Sequence, residues 1–237
     1  EKLRPGEFGV MHGYMKIPEL KRVCHAMEIS INEYLVSVYI WSVYTECLHG
    51  MPSKCPIRVA VPVNLRPYFN SITTKNFFVM VSAEFHPTKE TYTFAEVAEI
   101  VKESLRSQIN RENLEKLFSY NVSNEKLLIA RVVPLFLKNL AMKYVYTTSA
   151  LANTATITNI GNISVTEEYR PYVEMFHAFL AMSKGQHLKG TICSYGDTLV
   201  FSFSYDLVDA SVQRGFFRKI ASDGIAVEIK SNGVNYE

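Results

Sequence analysis

The first clear period along the chain is helical. From Pro18 onward, Leu20, Val23, Cys24 and Met27 fall on one face. Proline suits a first helical position. Ser30 and Glu33 are spaced as a capping box, which predicts a second helix over about 31–48. Leu35, Val38, Tyr39, Ile40, Trp41 and Val43 cover most of its circumference, the pattern of a helix buried mid-domain. Gly50 is its stop. The period then shortens. Positions 57–63 are rich in Val and predict a strand that ends at the polar corner Asn64-Leu65-Arg66-Pro67. A polar loop over 70–76 leads to a second strand over 77–85. Thr93 and Glu96 cap another helix, with Phe94, Val97, Val101 and Leu105 on one face. A short helix over 112–120 follows. Ser123 or Asn124 starts the next, and Pro134 interrupts it.

The last third changes character. Positions 154–160 alternate as a strand, with Gly161-Asn162 as a turn signal. Positions 172–181 read as another strand. Segments 190–195 and 198–205 flank Gly196-Asp197, the pattern of a hairpin. Asp209 caps a final helix to about 221, Gly224 stops it, and 225–229 forms a last strand. Helices first and strands later predict an α/β (α+β) fold, with helices packed on a mixed, partly antiparallel sheet. No repeat or linker divides the chain, so 1–237 reads as a single domain.

Composition narrows the function classes. The 237 residues are enough to bury a core without disulfides or metals. At 48% hydrophobic and 12% aromatic, the chain is neither disordered nor collagen-like. With 25 Lys and Arg against 23 Asp and Glu, net charge is +2, which gives no case for nucleic acid or an acidic membrane as partner. The apolar run 34–44 is too short to span a bilayer. The uncharged stretch 144–166 is crowded with Thr, Ser, Asn and Gly, which favour strands and turns. No membrane span is expected. Cys24, Cys47, Cys55 and Cys193 form no C-x-x-C pair. They read as reduced thiols of a cytoplasmic protein, with Cys24 and Cys47 as small core residues. The chain opens on Glu-Lys-Leu-Arg-Pro, without Met or a signal peptide, and reads as a piece of something longer.

Catalytic motifs are scarce. None of the histidines at 12, 25, 49, 86, 177 and 187 sits in a recognisable motif with a carboxylate. His177 reads as a half-buried strand histidine with a backbone partner, His25 and His49 as surface residues, and His187 as a loop residue. There is no G-x-S-x-G elbow, P-loop or G-x-G-x-x-G. Arg66 stands out. At the end of an apolar strand it is either a surface arginine before a proline, or a buried one needing a carboxylate or several carbonyls. The alternating Thr and Asn of 154–159 either line a polar tunnel or face solvent.

Several segments together resemble one family. Pro62-Val63-Asn64-Leu65-Arg66-Pro67-Tyr68-Phe69, Ser71-Ile72-Thr73-Thr74-Lys75-Asn76-Phe77-Phe78 and Thr156-Ile157-Thr158-Asn159-Ile160-Gly161 are similar to the condensation-like, CoA-dependent acyltransferases. Ser194-Tyr195, Thr198-Leu199-Val200-Phe201-Ser202-Phe203 and the helix around Phe216-Phe217 extend the match over nearly the whole chain. Bacterial alcohol acetyltransferases look closest. The resemblance implies two similar halves, each like chloramphenicol acetyltransferase, with a tunnel between them. It implies a general base from an H-H-x-x-x-D motif in the N-terminal half. This chain contains no such motif and matches only the C-terminal half. Arg66 then stands where the family's arginine pairs with the motif's Asp. Thr158 and Asn159 match the strand end that borders the tunnel, as substrate or pantetheine contacts. Lys75 and Asn76 lie in the matching loop, where Lys75 is either a CoA-phosphate contact or a solvent-facing lysine.

The resemblance implies transfer of an acyl group, acetyl foremost, from CoA to an alcohol or amine, with acyl-CoA as co-substrate and no permanently bound cofactor. A carrier-protein thioester is the other donor in this class. The fragment alone is expected to be inactive, with the N-terminal half as its partner. Its inner face is expected to be an exposed apolar patch, with a homodimer of the fragment as one way to cover it. Two other classes compete. One is a non-catalytic condensation-like docking module. The other is an unrelated enzyme using His177 and a cysteine.

Overall fold

The computed structural model describes residues 1–126, 133–183 and 185–234. It opens with a strand that the hydrophobic pattern does not announce, β1 (Gly9–Lys16). The helices α1 (Ile17–Ala26) and α2 (Ile31–Glu46) follow. Both halves of the α2 capping box form: Ser30 Oγ accepts from the Glu33 amide at 3.1 Å, and Glu33 Oε2 accepts from the Ser30 amide at 2.7 Å. As its all-round apolar sequence requires, α2 is buried on nearly every side.

Next come β2 (Ile57–Asn64), a single turn α3 (Arg66–Phe69), β3 (Phe78–Phe85), α4 (Phe94–Gln108) and α5 (Arg111–Lys126). The Thr93–Glu96 capping box opens α4 as its spacing predicts. In contrast, α5 runs without a break past Tyr120, where the sequence suggested one helix ending and another starting. The stretch before Pro134 lies mostly outside the described residues. Beyond it, α6 (Leu135–Leu151) extends into the uncharged stretch read as strand and turn. Then come β4 (Ala155–Asn162), β5 (Leu188–Tyr195), β6 (Thr198–Tyr205), α7 (Ser211–Ser222) and β7 (Val227–Ser231). Gly161-Asn162 is the end of β4 rather than a turn. Its register with β5 shifts between Asn159 and Gly161, a bulge at a glycine of φ 86°.

The seven strands make one mixed sheet in the order β3-β2-β4-β5-β6-β1-β7. The pairs β2–β4 and β4–β5 are parallel, and the rest are antiparallel. The mixed sheet agrees with the sequence, but β1 precedes every helix. The core lies between one sheet face and α2, α4 and α7. There Phe201 and Phe203 meet Phe216 at ring distances of 4.4 and 5.0 Å, and Tyr44 meets Phe85 at 5.5 Å.

The opposite face is crossed by segment 172–183. The sequence suggested a strand over 172–181, but apart from a 3₁₀ turn (Arg170–Tyr172) the segment has no regular structure there. It is a strap held by side chains. Phe176 packs on Tyr195, Phe179 on Phe8, and Cys193 Sγ donates to the Phe176 carbonyl at 3.2 Å. The segment reads like a strand because its apolar residues are interleaved with exposed ones, yet its contacts to the sheet come from side chains and not from a backbone ladder. Cys47, expected in the core, lies exposed just past the last turn of α2.

Candidate functional site

Arg66 stands where β2 turns into α3. It is half-buried, and its guanidinium is not a solvated surface group. Nε donates to the Thr73 carbonyl at 2.9 Å, Nη2 to the Lys75 carbonyl at 2.6 Å, and Nη1 to Asn64 Oδ1 at 3.2 Å. Carbonyls, rather than a carboxylate, hold it. Asn64 Oδ1 also caps the corner by accepting the Arg66 amide at 3.1 Å. Three of five guanidinium donors are thus used, leaving one N–H on each terminal nitrogen. The side chains of Lys75 and Asn76 are exposed, so Arg66 organises the loop's backbone and not its side chains.

Thr158 and Asn159 are adjacent on β4 and point to opposite faces. Asn159 turns toward the helices. Its Nδ2 reaches Asn32 Oδ1 at 3.4 Å, and its Oδ1 accepts the Gly161 amide at 2.8 Å. Thr158 faces the strap side. Because β2, β4 and β5 run parallel, their carboxyl ends share one end of the sheet. Arg66, the loop of Lys75 and Asn76, and the pair Thr158–Asn159 therefore gather at that end. A cavity of about 370 Å³ lies beside it, lined by Asn162, Ile163, Ser164, Val165, Arg170 and Tyr195.

Register reveals what the sequence could not. Thr158 pairs with Thr191, Thr191 with Ser202, Ser202 with His12, and His12 with Lys230. A polar row thus crosses five strands on the strap face. His12 Nδ1 is hydrogen-bonded to Ser202 Oγ at 2.7 Å. The Thr191 and Ser204 hydroxyls are buried without a hydrogen-bond partner among the described residues. Lys189, also buried, donates to the Ala181 carbonyl at 2.9 Å. Burial pushes the Lys189 ammonium below the usual lysine range. Burial, and then the neighbouring His177, push the His12 imidazole below the usual histidine range.

His177 is not a strand residue. It lies exposed on the strap, its Nε2 bonded to the Tyr14 hydroxyl at 2.7 Å and its ring 4.7 Å from that of His12. His12 attracts no attention in the sequence because it sits between two glycines in a strand whose partners lie far along the chain. The one signal was the alternation of Ser and Phe over 201–204, which shows that β6 has a polar face.

Chemically, the row offers hydroxyls that donate and accept and an imidazole over its inner strands, and the Lys230 ammonium at the β7 edge. The inner, hydroxyl-lined part suits an uncharged chain of carbonyls and amides. Exposed apolar side chains lie both at the carboxyl end of the parallel strands, with Ile72 and Ile160, and on α6. On α6, Leu135, Phe136, Leu140, Met142 and Tyr144 are each 65–72% exposed. Among the described residues no helix is long and apolar enough to cross a membrane.

No protein-family model matches this chain, and no curated protein sequence matches it. Solved structures do match. TRI101 of F. sporotrichioides, complexed with coenzyme A and T-2, is similar over 96% of this chain and 52% of its own, with TM-score 0.61 and 12% identity. The epimerization domain from the third module of tyrocidine synthetase B is similar over 94% of this chain and 49% of its own, with TM-score 0.58 and 11% identity. Polyketide synthase associated protein 5 from Mycobacterium tuberculosis is similar over 90% and 52%, with TM-score 0.56 and 10% identity. The chain spans about half the length of these structures. At such identities the likeness is one of fold: the chain has the mixed α/β, condensation-like fold of these structures.

Proposed function

We propose that this chain is the C-terminal half of an acyltransferase that moves an acyl group from a CoA thioester to an alcohol or amine. The observation that carries the reading is the fold, matched over nearly all of this chain and about half of each neighbour. In this reading the missing half supplies the H-H-x-x-x-D histidine. That imidazole takes the acceptor's proton as the acceptor oxygen or nitrogen attacks the thioester carbonyl, and the CoA thiolate leaves. In open α/β sheets, ligands sit outside the carboxyl ends of parallel strands. This supports Thr158 and its row partner Thr191 as contacts for the amide-bearing pantetheine arm, and Lys75 and Asn76 as outer contacts for CoA. Asn159, turned to the other face, then supports the bulge rather than the ligand.

Arg66 would dock on the carboxylate of the motif through its two free N–H groups, a bidentate match. The exposed apolar residues of α6 support a partner surface, whether the N-terminal half or a second copy of this chain.

The test is release of CoA thiol from acetyl-CoA, with alcohols and amines present, by the product of the complete reading frame. Turnover should fall at least tenfold in Arg66→Ala, the order expected for loss of one partner of a buried charge pair. Unchanged turnover would remove Arg66 from its role. Absence of release with every acyl-CoA or carrier-bound thioester would overturn the enzymatic reading. The second reading, a docking module, rests on the absence of H-H-x-x-x-D from these 237 residues. It predicts a stable complex through α6 with no turnover. A strict monomer at high concentration in sedimentation would count against the homodimer.

A further inference from the structure

On the helix side of the sheet, away from the polar row, a cavity of about 550 Å³ opens between α7 and the β1–β7 edge. We infer that it binds an amphipathic anion, a carboxylate carried on an apolar chain. The inference does not rest on the acyl-transfer reading, because the cavity shares no residue with the sites invoked there. Its size is that of ordinary small-molecule sites. Its floor is apolar, with Met11, Phe217, Val227 and Ile229 below and Val208 at one side. Val208 and Ile229 are 47% and 49% exposed, so apolar surface at the cavity is open to a ligand.

The rim carries Arg214 and Arg218, one turn apart on α7. Like charges at this spacing disfavour a helix. Several exposed cations find carboxylates, as Lys16 does with Asp197, Arg58 with Glu84, Lys116 with Glu112 and Arg106 with Glu33, while others such as Lys21, Lys54 and Lys75 show no ion pair among the described residues. Neither Arg214 nor Arg218 pairs with any described residue. The cavity's one acidic lining residue, Asp209, already accepts from the Ser211 amide and hydroxyl, each at 2.9 Å. Two guanidinium forks above an apolar floor suit a planar oxyanion bound bidentately, with its tail lying on Ile229 and Phe217.

The probe is laurate, kept below its micelle concentration and titrated calorimetrically into this chain at low ionic strength. One saturable site is expected. The double variant Arg214→Gln/Arg218→Gln should weaken binding at least tenfold, and dodecan-1-ol should bind at least tenfold more weakly than laurate to the parent. Ile229→Gln, at an exposed edge position, should also weaken laurate, whereas Arg4→Gln, an exposed arginine outside the cavity, should not. Circular dichroism and melting must match the parent for each variant. Should the double variant fail to fold, Ile229→Gln and the alcohol comparison decide alone. No saturation up to about 1 mM, equal affinity for the alcohol, or an unchanged double variant would overturn the site. So would binding only to anionic phosphatidylglycerol vesicles and not to monomeric laurate.

Discussion

Gly13→Ala tests how α7 is seated on the sheet. Gly13 lies in β1 between Phe201 of β6 and Ile229 of β7. A methyl added there would stand 2.1 Å from Phe217 Cε1 and 2.7 Å from Cζ, where ordinary contact begins at 3.4 Å. The ring must move by more than an ångström. It has little room, since Phe216 and Phe203 lie at ring distances of 5.2 and 5.6 Å and Phe217 is 4% exposed. Overpacking of this kind costs about 1–3 kcal/mol. The stiffer unfolded chain offsets about 0.4–1 kcal/mol of that. The net is about 1–2 kcal/mol of lost stability, which for a chain of this size lowers Tm by roughly 2–8 °C. Thermal unfolding followed by circular dichroism reads it directly. Adding Phe217→Leu should recover part of the loss, giving a coupling of about 1 kcal/mol in a double-mutant cycle. A Gly13→Ala protein that melts at or above the parent temperature, or strict additivity in the cycle, would refute the packing argument.

Three further outcomes are expected. Ser30→Ala should cost about 1 kcal/mol by urea unfolding. Glu33→Ala should cost more, because Glu33 also accepts from Arg106 at 2.8 and 3.1 Å; equal losses would contradict that linkage. His12, held below its ordinary value of 6.5, binds its proton less readily folded than unfolded, so its contribution is present above about that pH and lost as pH falls. Tm should therefore drop between pH about 7 and about 5, and less steeply in His12→Gln; parallel curves would sink the assignment. Burial pushes the Cys24 thiol up to about 12 and also raises Cys193 and Cys47, but Cys24 and Cys193 are buried from solvent whereas Cys47 and Cys55 are exposed to a reagent. Native protein should show two thiols accessible to a disulfide reagent and four after unfolding, and four in the native state would contradict the burial pattern.

Local signals in the sequence were reliable where the physics is local. The capping boxes at Ser30 and Thr93, the buried circumference of α2 and the Gly196-Asp197 hairpin all depend on residues a few positions apart. The failures share a cause. The two glycines of β1 look poor for a strand, yet Gly9 and Gly13 are what lets Tyr205 and Phe217 lie against the sheet. That reason exists only after distant segments meet. The strap reads as a strand because apolar and exposed residues are interleaved along it, although its backbone pairs with none of the sheet strands. Arg66 was legible as an arginine in need of acceptors, but its acceptors, the carbonyls of Thr73 and Lys75, carry no sequence signature. The polar row required the register of five strands and was beyond any reading of one segment at a time.

The placement of β1 also sets a timetable. His12 and its partner Ser202 are separated by 190 positions, and β7 comes later still. At synthesis rates of 5–20 residues per second, β1 waits roughly ten to forty seconds before either neighbour emerges. Throughout that interval both of its hydrogen-bonding edges are open, and α1 and α2 have no completed sheet to cover. Closure of this sheet is a late, long-range event with a large loop-closure cost, so folding should be slow. The vulnerable species in a cell is the nascent chain that has emerged through β5 but not β6, and its yield should depend on what shields β1 while it waits.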